Sequence, residues 1–243
     1  MLLLSVGMPR AGSGWYYNLN HDLLVAGGGQ DARAVRRQYH LTSILTEVNC
    51  NIGALTPWRL LPVMLPALQG KSYTIKAHCA PTPLARALIK RGWLRATYIY
   101  RDPRDAMLSS FENGQRALQN GRQNAFSHLT TFEKTLDFMR EYVHIWQDWM
   151  ALPQVLHARY EDLLTDYDNE VQRLLRFLQL ESTSAVQQIV EQYRPAKVQN
   201  SEQQGLHFRK GKIGRFRQVY NTEQIEACQR AFAAELERMG YPL

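Results

Sequence analysis

Cysteine is scarce: only Cys50, Cys79 and Cys228 occur in 243 residues. The number is odd, the three are far apart and none stands in a CxxC pair. A disulfide framework or a thiolate zinc site is therefore not expected, and reduced thiols in a cytoplasmic setting are the simplest reading. Long apolar runs are also missing. The apolar start Met1-Leu2-Leu3-Leu4-Ser5-Val6 is far short of the roughly 20 residues that span a bilayer, and it lacks the basic lead-in and cleavage region of a secretory signal. No membrane span is expected elsewhere. No internal repeat, low-complexity tract or domain linker stands out. His and carboxylate residues nowhere fall at ligand spacing on one element, so no metal is expected. Acidic residues are the scarcer charge, 22 against 29 basic ones, for a formal net charge of +7. That balance favours anionic partners such as nucleotides, phosphorylated cofactors, nucleic acid or acidic glycans, without choosing among them.

What is present reads as α/β. Residues 2–6 suit a buried first strand, followed by the glycine-rich turn Gly7-Met8-Pro9-Arg10-Ala11-Gly12-Ser13-Gly14 and a helix from about Trp15. Gly27-Gly28-Gly29 breaks the chain before a basic, helix-compatible stretch. Residues 73–78 predict a second strand ended by Pro81 and Pro83, then a basic helix over 84–91. Residues 96–100 predict a third strand, with a helix entering at about Arg104 behind Asp102-Pro103. Residues 113–130, rich in Asn, Gln and Gly, read as a surface excursion or lid. Phe132, Leu136, Met139, Tyr142, Val143, Trp146 and Trp149 recur at helical spacing, which suits a packed helix with one or two members on an acceptor site. Residues 155–160 predict a fourth strand, leading through Glu161-Asp162 into one long amphipathic helix. Residues 195–207 read as a polar loop. A last helix begins near Asn221-Thr222 and stops at Gly240. Strands alternating with helices predict one three-layer domain over residues 1–243, with a central parallel sheet and a P-loop-like anion loop.

Three segments carry chemistry. At residues 9–15, a strand, a glycine-rich turn and a helix N-terminus make an anion site: backbone N–H groups converge there and the helix dipole favours negative charge. Gly12 and Gly14 permit close approach, Ser13 adds a hydroxyl and Arg10 a positive charge. The loop has no Gly-Lys-Ser/Thr ending, so it is not a standard nucleoside-triphosphate loop. The segment from Arg101 to Phe111 places Arg101 at the carboxyl end of a strand, where open α/β sheets bind ligands, and Ser109 about two helical turns on. Arg suits phosphate through its planar fork. Phe208-Arg209-Lys210-Gly211-Lys212-Ile213-Gly214-Arg215-Phe216-Arg217 sets five basic residues among glycines and aromatics. Taken singly, each segment is also what a tight turn or a charged surface loop looks like.

Together, the segments stand in the order and chemistry of the PAPS-dependent sulfotransferases, which act with 3′-phosphoadenosine-5′-phosphosulfate. Pro9-Arg10-Ala11-Gly12-Ser13-Gly14-Trp15 resembles the family's 5′-phosphosulfate loop, usually Pro-Lys-Ser-Gly-Thr-Thr-Trp. Arg101 through Ser109 is similar to its 3′-phosphate segment. Arg209-Lys210-Gly211 with Gly214 resembles its Arg-Lys-Gly-x-x-Gly signature, Tyr160-Glu161-Asp162-Leu163 its Tyr-Glu-Asp-Leu element, and Lys76-Ala77-His78 its Lys-Thr-His at the end of the second strand. The departures are Arg10 for lysine, Gly14 for a hydroxyl residue, and Arg215-Phe216 for the common Asp-Trp.

The resemblance implies transfer of a sulfuryl group from PAPS to a hydroxyl or amine, leaving the bisphosphate PAP, without a metal. It implies His78 as general base, with Lys76 and Arg10 stabilising the leaving group. Arg10, Ala11, Gly12, Ser13, Gly14 and Trp15 would hold the phosphosulfate end. Arg101, Ser109, Arg209, Lys210 and Gly211 would hold the 3′-phosphate, and Tyr160 with Trp15 would border the nucleotide. The acceptor is left open among a polyketide-type alcohol, a carbohydrate, a lipid and a small phenol, and so is the oligomeric state; nucleic acid is not expected as a partner. Two other readings compete: a P-loop nucleotide kinase or phosphotransferase, and a non-catalytic nucleotide- or polyanion-binding module.

Overall fold

The computed structural model describes residues 1–199, 201, 203, 205, 206 and 211–243. Strand β1 (Leu2–Gly7) is buried along its whole length, and its side chains alternate between two cores. Leu2, Leu4 and Val6 join one apolar cluster, whereas Leu3 joins a second. A strand buried on both faces needs helices on both sides, so this six-residue run already dictates three layers.

Strands β2 (Tyr73–Ala77), β3 (Leu94–Tyr100) and β4 (Leu156–Arg159) complete a sheet of order β2-β1-β3-β4. Every pairing is parallel, with Ser5 opposite Lys76 and Thr97, and Tyr100 opposite Arg159. All four strands therefore deliver their carboxyl ends to one edge. The residues that follow them, Met8 to Gly12, His78, Arg101 and Tyr160, converge there.

Helix α1 (Ser13–Ala26) leaves β1 through the glycine-rich turn; α2 (Ala32–Gln38), a 3-10 turn (Leu41–Ser43) and α3 (Pro57–Leu68) lead to β2. The sequence pattern gives no helix at α3, because Pro62 and Pro66 lie inside it and each removes a backbone donor. Burial of Leu60, Val63 and Met64 holds the helix despite that loss. Helix α4 (Pro83–Lys90) precedes β3, and α5 (Pro103–Gln119) follows it. Helix α5 extends well into residues 113–130, expected as an excursion. Its last turn, Arg116-Ala117-Leu118-Gln119, consists of good helix formers, but it is only partly covered and so shows no apolar period.

Helix α6 (Phe132–Met150) carries the predicted aromatic stripe, with Met139, Val143, Trp146 and Trp149 buried. After β4, the single long helix expected from the pattern is two: α7 (Tyr160–Thr165) and α8 (Tyr167–Leu178). They part at Asp166, which leaves helical geometry at φ −133° and accepts a hydrogen bond from Asn169 at 2.8 Å. The break lets α8 turn Val171, Leu174, Leu175 and Leu178 onto the second core. Helices α9 (Ser184–Gln192), α10 (Pro195–Val198), α11 (Phe216–Val219) and α12 (Thr222–Met239) complete the chain. Helix α10 replaces the start of the polar loop expected over 195–207. Helix α12 begins behind Asn221 and stops at left-handed Gly240, as its sequence predicts, and a capping box joins Asn221 to Gln224. Among the described residues no helix is long and apolar enough to cross a membrane.

Candidate active site

The turn after β1 is bent by two left-handed residues, Arg10 at φ 62° and Gly12 at φ 76°. Only Gly12 fits its position: a Cβ there would lie 2.6 Å from the ring of Tyr160. The turn ends in α1, whose N-cap makes no side-chain bond and whose first turn carries no acidic residue. A helix N-terminus of that kind, next to basic side chains, is a site for an anion.

Around this turn lies a cavity of about 770 Å³. Arg10, Gly12, Ser13 and Gly14 line it from β1 and α1, Lys76 and His78 from β2, Arg101 and Ser109 from β3 and α5, Tyr160 from α7 and Gly211 from the C-terminal segment. Ten of the fourteen residues expected at the site thus meet on one wall. Ala11 and Trp15 do not reach it. Both are fully buried, and Trp15 donates through Nε1 to the Tyr193 carbonyl at 2.9 Å while stacking on Tyr167. Trp15 supports the wall from behind rather than facing the cavity. Arg209 and Lys210 lie outside the described residues.

Lys76 is only 5 % exposed and has no acidic partner among the described residues. Burial, with the Arg10 charge adding to it, lowers its pKa to about 8. A buried cation held without a counter-charge is a group that an anionic ligand relieves. His78 is half-buried, and its Nδ1 lies 2.6 Å from the Gly7 carbonyl. Arg10 donates through Nε to the Ser109 hydroxyl at 3.2 Å, so the first two segments touch.

Arg101 is the hub of the wall. Its Nη2 donates to Asp105 at 3.1 Å and to the Lys212 carbonyl at 2.6 Å, and its Nη1 lies 3.5 Å from the Arg10 carbonyl. The guanidinium sits over the Tyr160 ring, 4.6 Å from its centroid. Behind it, buried Glu161 accepts from Tyr241 at 2.6 Å. Burial raises the Glu161 carboxyl above its usual value, and the Tyr241 hydroxyl and the Arg101 charge pull it back.

Four contributors were not legible beforehand. Glu112 and Arg215 form a two-pronged pair across the cavity rim, at 2.5 and 3.1 Å. The charge of Arg215, which stands where aspartate is common, is matched by that of Glu112. Phe126 lines the cavity with Arg10 above its ring at 5.9 Å. Asn49 lines it from the segment before β2 and donates to the Gly205 carbonyl at 3.1 Å. Phe138 and Tyr142 of α6 also face the cavity, as the stripe allows. The Gly205–Leu206 backbone packs directly on Gly14, where a Cβ would lie 2.6 and 2.5 Å from the two carbonyl oxygens. Glycine at position 14 is therefore set by packing.

A family model described as "Sulfotransferase domain" matches residues 3–240. Among curated proteins, Sulfotransferase 6B1 of Danio rerio is 22 % identical over 258 residues, covering 99 % of this chain and 82 % of its own. Amine sulfotransferase of Oryctolagus cuniculus is 24 % identical over 186 residues, covering 67 % of this chain and 60 % of its own. Among the solved structures that share the fold are two complexes with PAP. Mouse sulfotransferase SULT7A1 complexed with PAP superposes with a TM-score of 0.63 at 15 % identity, over 97 % of this chain and 84 % of that one. Retinol dehydratase in a complex with retinol and PAP superposes with a TM-score of 0.62 at 18 % identity, over 97 % and 81 %.

Proposed function

Because this chain belongs to the sulfotransferase-domain family, and is with it a PAPS-dependent sulfotransferase, we propose that the cavity takes PAPS against the turn at residues 9–14 and that His78 is the general base toward an acceptor hydroxyl or amine. One observation carries this reading: Arg10, Lys76, His78, Arg101, Ser109 and Tyr160, from four stretches of chain, border one cavity.

The residues suit the group. The uncapped N-terminus of α1, Arg10 and the buried Lys76 together offer an anion two fixed charges and a set of backbone donors. PAPS supplies an activated sulfuryl group whose departure leaves negative charge on a bridging oxygen. Arg10 and Lys76 hold cationic charge next to the turn, where that oxygen would lie. Arg101 and Ser109 are the donors available to a 3′-phosphate, with Arg209 and Lys210 assigned to the same phosphate by resemblance. Tyr160 offers the nucleotide an aromatic edge. A carbonyl only accepts, so the Gly7 carbonyl keeps the proton on His78 Nδ1 and leaves Nε2 as the basic nitrogen. An imidazole nitrogen with its second nitrogen held in this way is the usual arrangement of a general base.

The acceptor lies toward Phe126, Phe138 and Tyr142, in a mixed aromatic and amide environment with Asn113 and Asn124. That lining suits a small organic alcohol, phenol or amine with an apolar body. Incubation with radiolabelled PAPS and a panel of phenols, aliphatic alcohols, amines, lipids and carbohydrates tests the reading, with PAP binding measured alongside. Label transfer to any class supports it. A protein that neither binds PAP nor transfers label refutes it.

A further inference from the structure

Asp105 lies one helical turn beyond Arg101 and is almost completely buried at 2 % exposure. Its carboxylate takes three donors, one from the preceding turn and two from a single segment far along the chain. Oδ2 accepts from Arg101 Nη2 at 3.1 Å and from the Gly214 backbone N–H at 2.7 Å. Oδ1 accepts from the Phe216 backbone N–H at 3.1 Å. Gly214 is left-handed at φ 72°, which turns the chain so that both amides face the same carboxylate. Arg101 Nη2 completes the circuit by donating to the Lys212 carbonyl. With Nη2 engaged and Nε buried 4.0 Å from the Glu161 carboxylate, Nη1 is left in only a long contact with the Arg10 carbonyl. Nη1 is the donor left to an anion.

We propose that Asp105 is the positioning residue for recognition of the nucleotide's 3′-phosphate: it fixes the Arg101 guanidinium and pins residues 211–216 beside it. This rests on the reading that the cavity binds PAPS. A second role for Asp105, as a counter-charge that weakens Arg101 toward anions, predicts the opposite sign. Geometry decides between them. In Asp105→Asn the oxygen that accepts from Gly214 and Arg101, or the one that accepts from Phe216, becomes an N–H₂ group facing donors. At least one anchor is then lost, whichever way the amide turns.

Titration calorimetry of Asp105→Asn with PAP and with adenosine 5′-monophosphate tests this. PAP affinity should fall by about tenfold or more, as expected for loss of a charge-assisted buried bond, while the monophosphate changes less than about threefold. With an active acceptor in hand, KM for PAPS should rise while kcat and the acceptor KM stay nearly constant. Unchanged or tighter PAP binding, or equal losses for both nucleotides, overturns the proposal. Amide exchange on the wild-type protein gives a separate arm that needs no variant. The Gly214 and Phe216 amides should be protected without nucleotide and further slowed by PAP but not by the monophosphate. Free exchange at both amides overturns the anchoring. If the wild-type protein binds neither nucleotide while both amides are protected, the PAPS reading and its 3′-phosphate role fall and the anchor alone stands.

Discussion

His78 Nδ1 lies 2.6 Å from the carbonyl oxygen of Gly7, the last residue of β1. The strand that leads into the anion turn thus also sets the tautomer of the imidazole beside it. His78→Ala should lower turnover by about 10²- to 10⁴-fold, the usual contribution of a positioned general base. PAP affinity should stay within about threefold. Single-turnover rates and calorimetry measure the two separately, and a variant that retains its turnover removes His78 from the mechanism. Nitrogen chemical shifts should find the proton of the neutral ring on Nδ1.

Lys76 gives nucleotide binding a pH dependence of defined sign. Its folded-state pKa is lowered to about 8, and a bound polyanion favours the charged form. Binding therefore takes up a proton when the free side chain is neutral, and PAP affinity should fall as pH rises through about 8. For folding the same shift acts in the opposite direction: the unfolded chain binds the proton more tightly, so stability contributed by this group rises between about pH 8 and the unfolded value near 10.4. Calorimetry at pH 8.5 in buffers of different ionisation enthalpy should report proton uptake, and Lys76→Met should abolish it and weaken binding.

Gly14→Thr would restore the hydroxyl residue usual in the family's loop. It should nonetheless destabilise this protein, because the new Cβ would lie 2.5 Å from the Leu206 carbonyl oxygen and 2.6 Å from that of Gly205. Backbone atoms cannot rotate away, so the segment must shift and strain its bond from Asn49 to Gly205. A cost of about 1 to 3 kcal/mol is expected for overpacking of this kind. The urea midpoint reads it, and an unchanged midpoint would show that the 205–206 segment yields freely.

Arg104 is 1 % exposed and donates to both Asp102 oxygens at 2.9 Å and to the Pro242 carbonyl at 2.7 Å. Arg104→Ala strands a buried carboxylate and should cost about 3 to 5 kcal/mol. The double variant Arg104→Met with Asp102→Asn removes both charges, keeps the α5 cap and should recover much of the loss. A double variant no more stable than the single one would put the cost in packing, with Arg104 lying over the Phe216 ring.

The sheet and the cavity wall were legible for related reasons. A strand buried on both faces is a short apolar run whatever its partners, and strand ends carry the polar residues that follow such runs. His78, Arg101 and Tyr160 each stand immediately after one. Asp105 was not legible, because a carboxylate in the first turn of a helix is ordinary surface chemistry; what buries it are amides 109 and 111 residues away in sequence. Arg215 is the same case, its partner Glu112 lying 103 residues earlier. The burial of Trp15 was not legible, because an aromatic beside an anion turn suits a nucleotide as well as it suits the second core, and its packing against Tyr167 and Tyr193 shows only in the fold.

The central position of β1 has a consequence for biosynthesis. Its neighbours begin at Tyr73 and Leu94, so the ribosome must deliver many further residues before Leu2–Gly7 finds a hydrogen-bonding partner on either side. During that interval an apolar ribbon emerges with both edges open, and such ribbons adhere to one another. Yield in the cell should therefore depend on translation rate and on the supply of holdase chaperones more steeply than the equilibrium stability of the finished protein suggests.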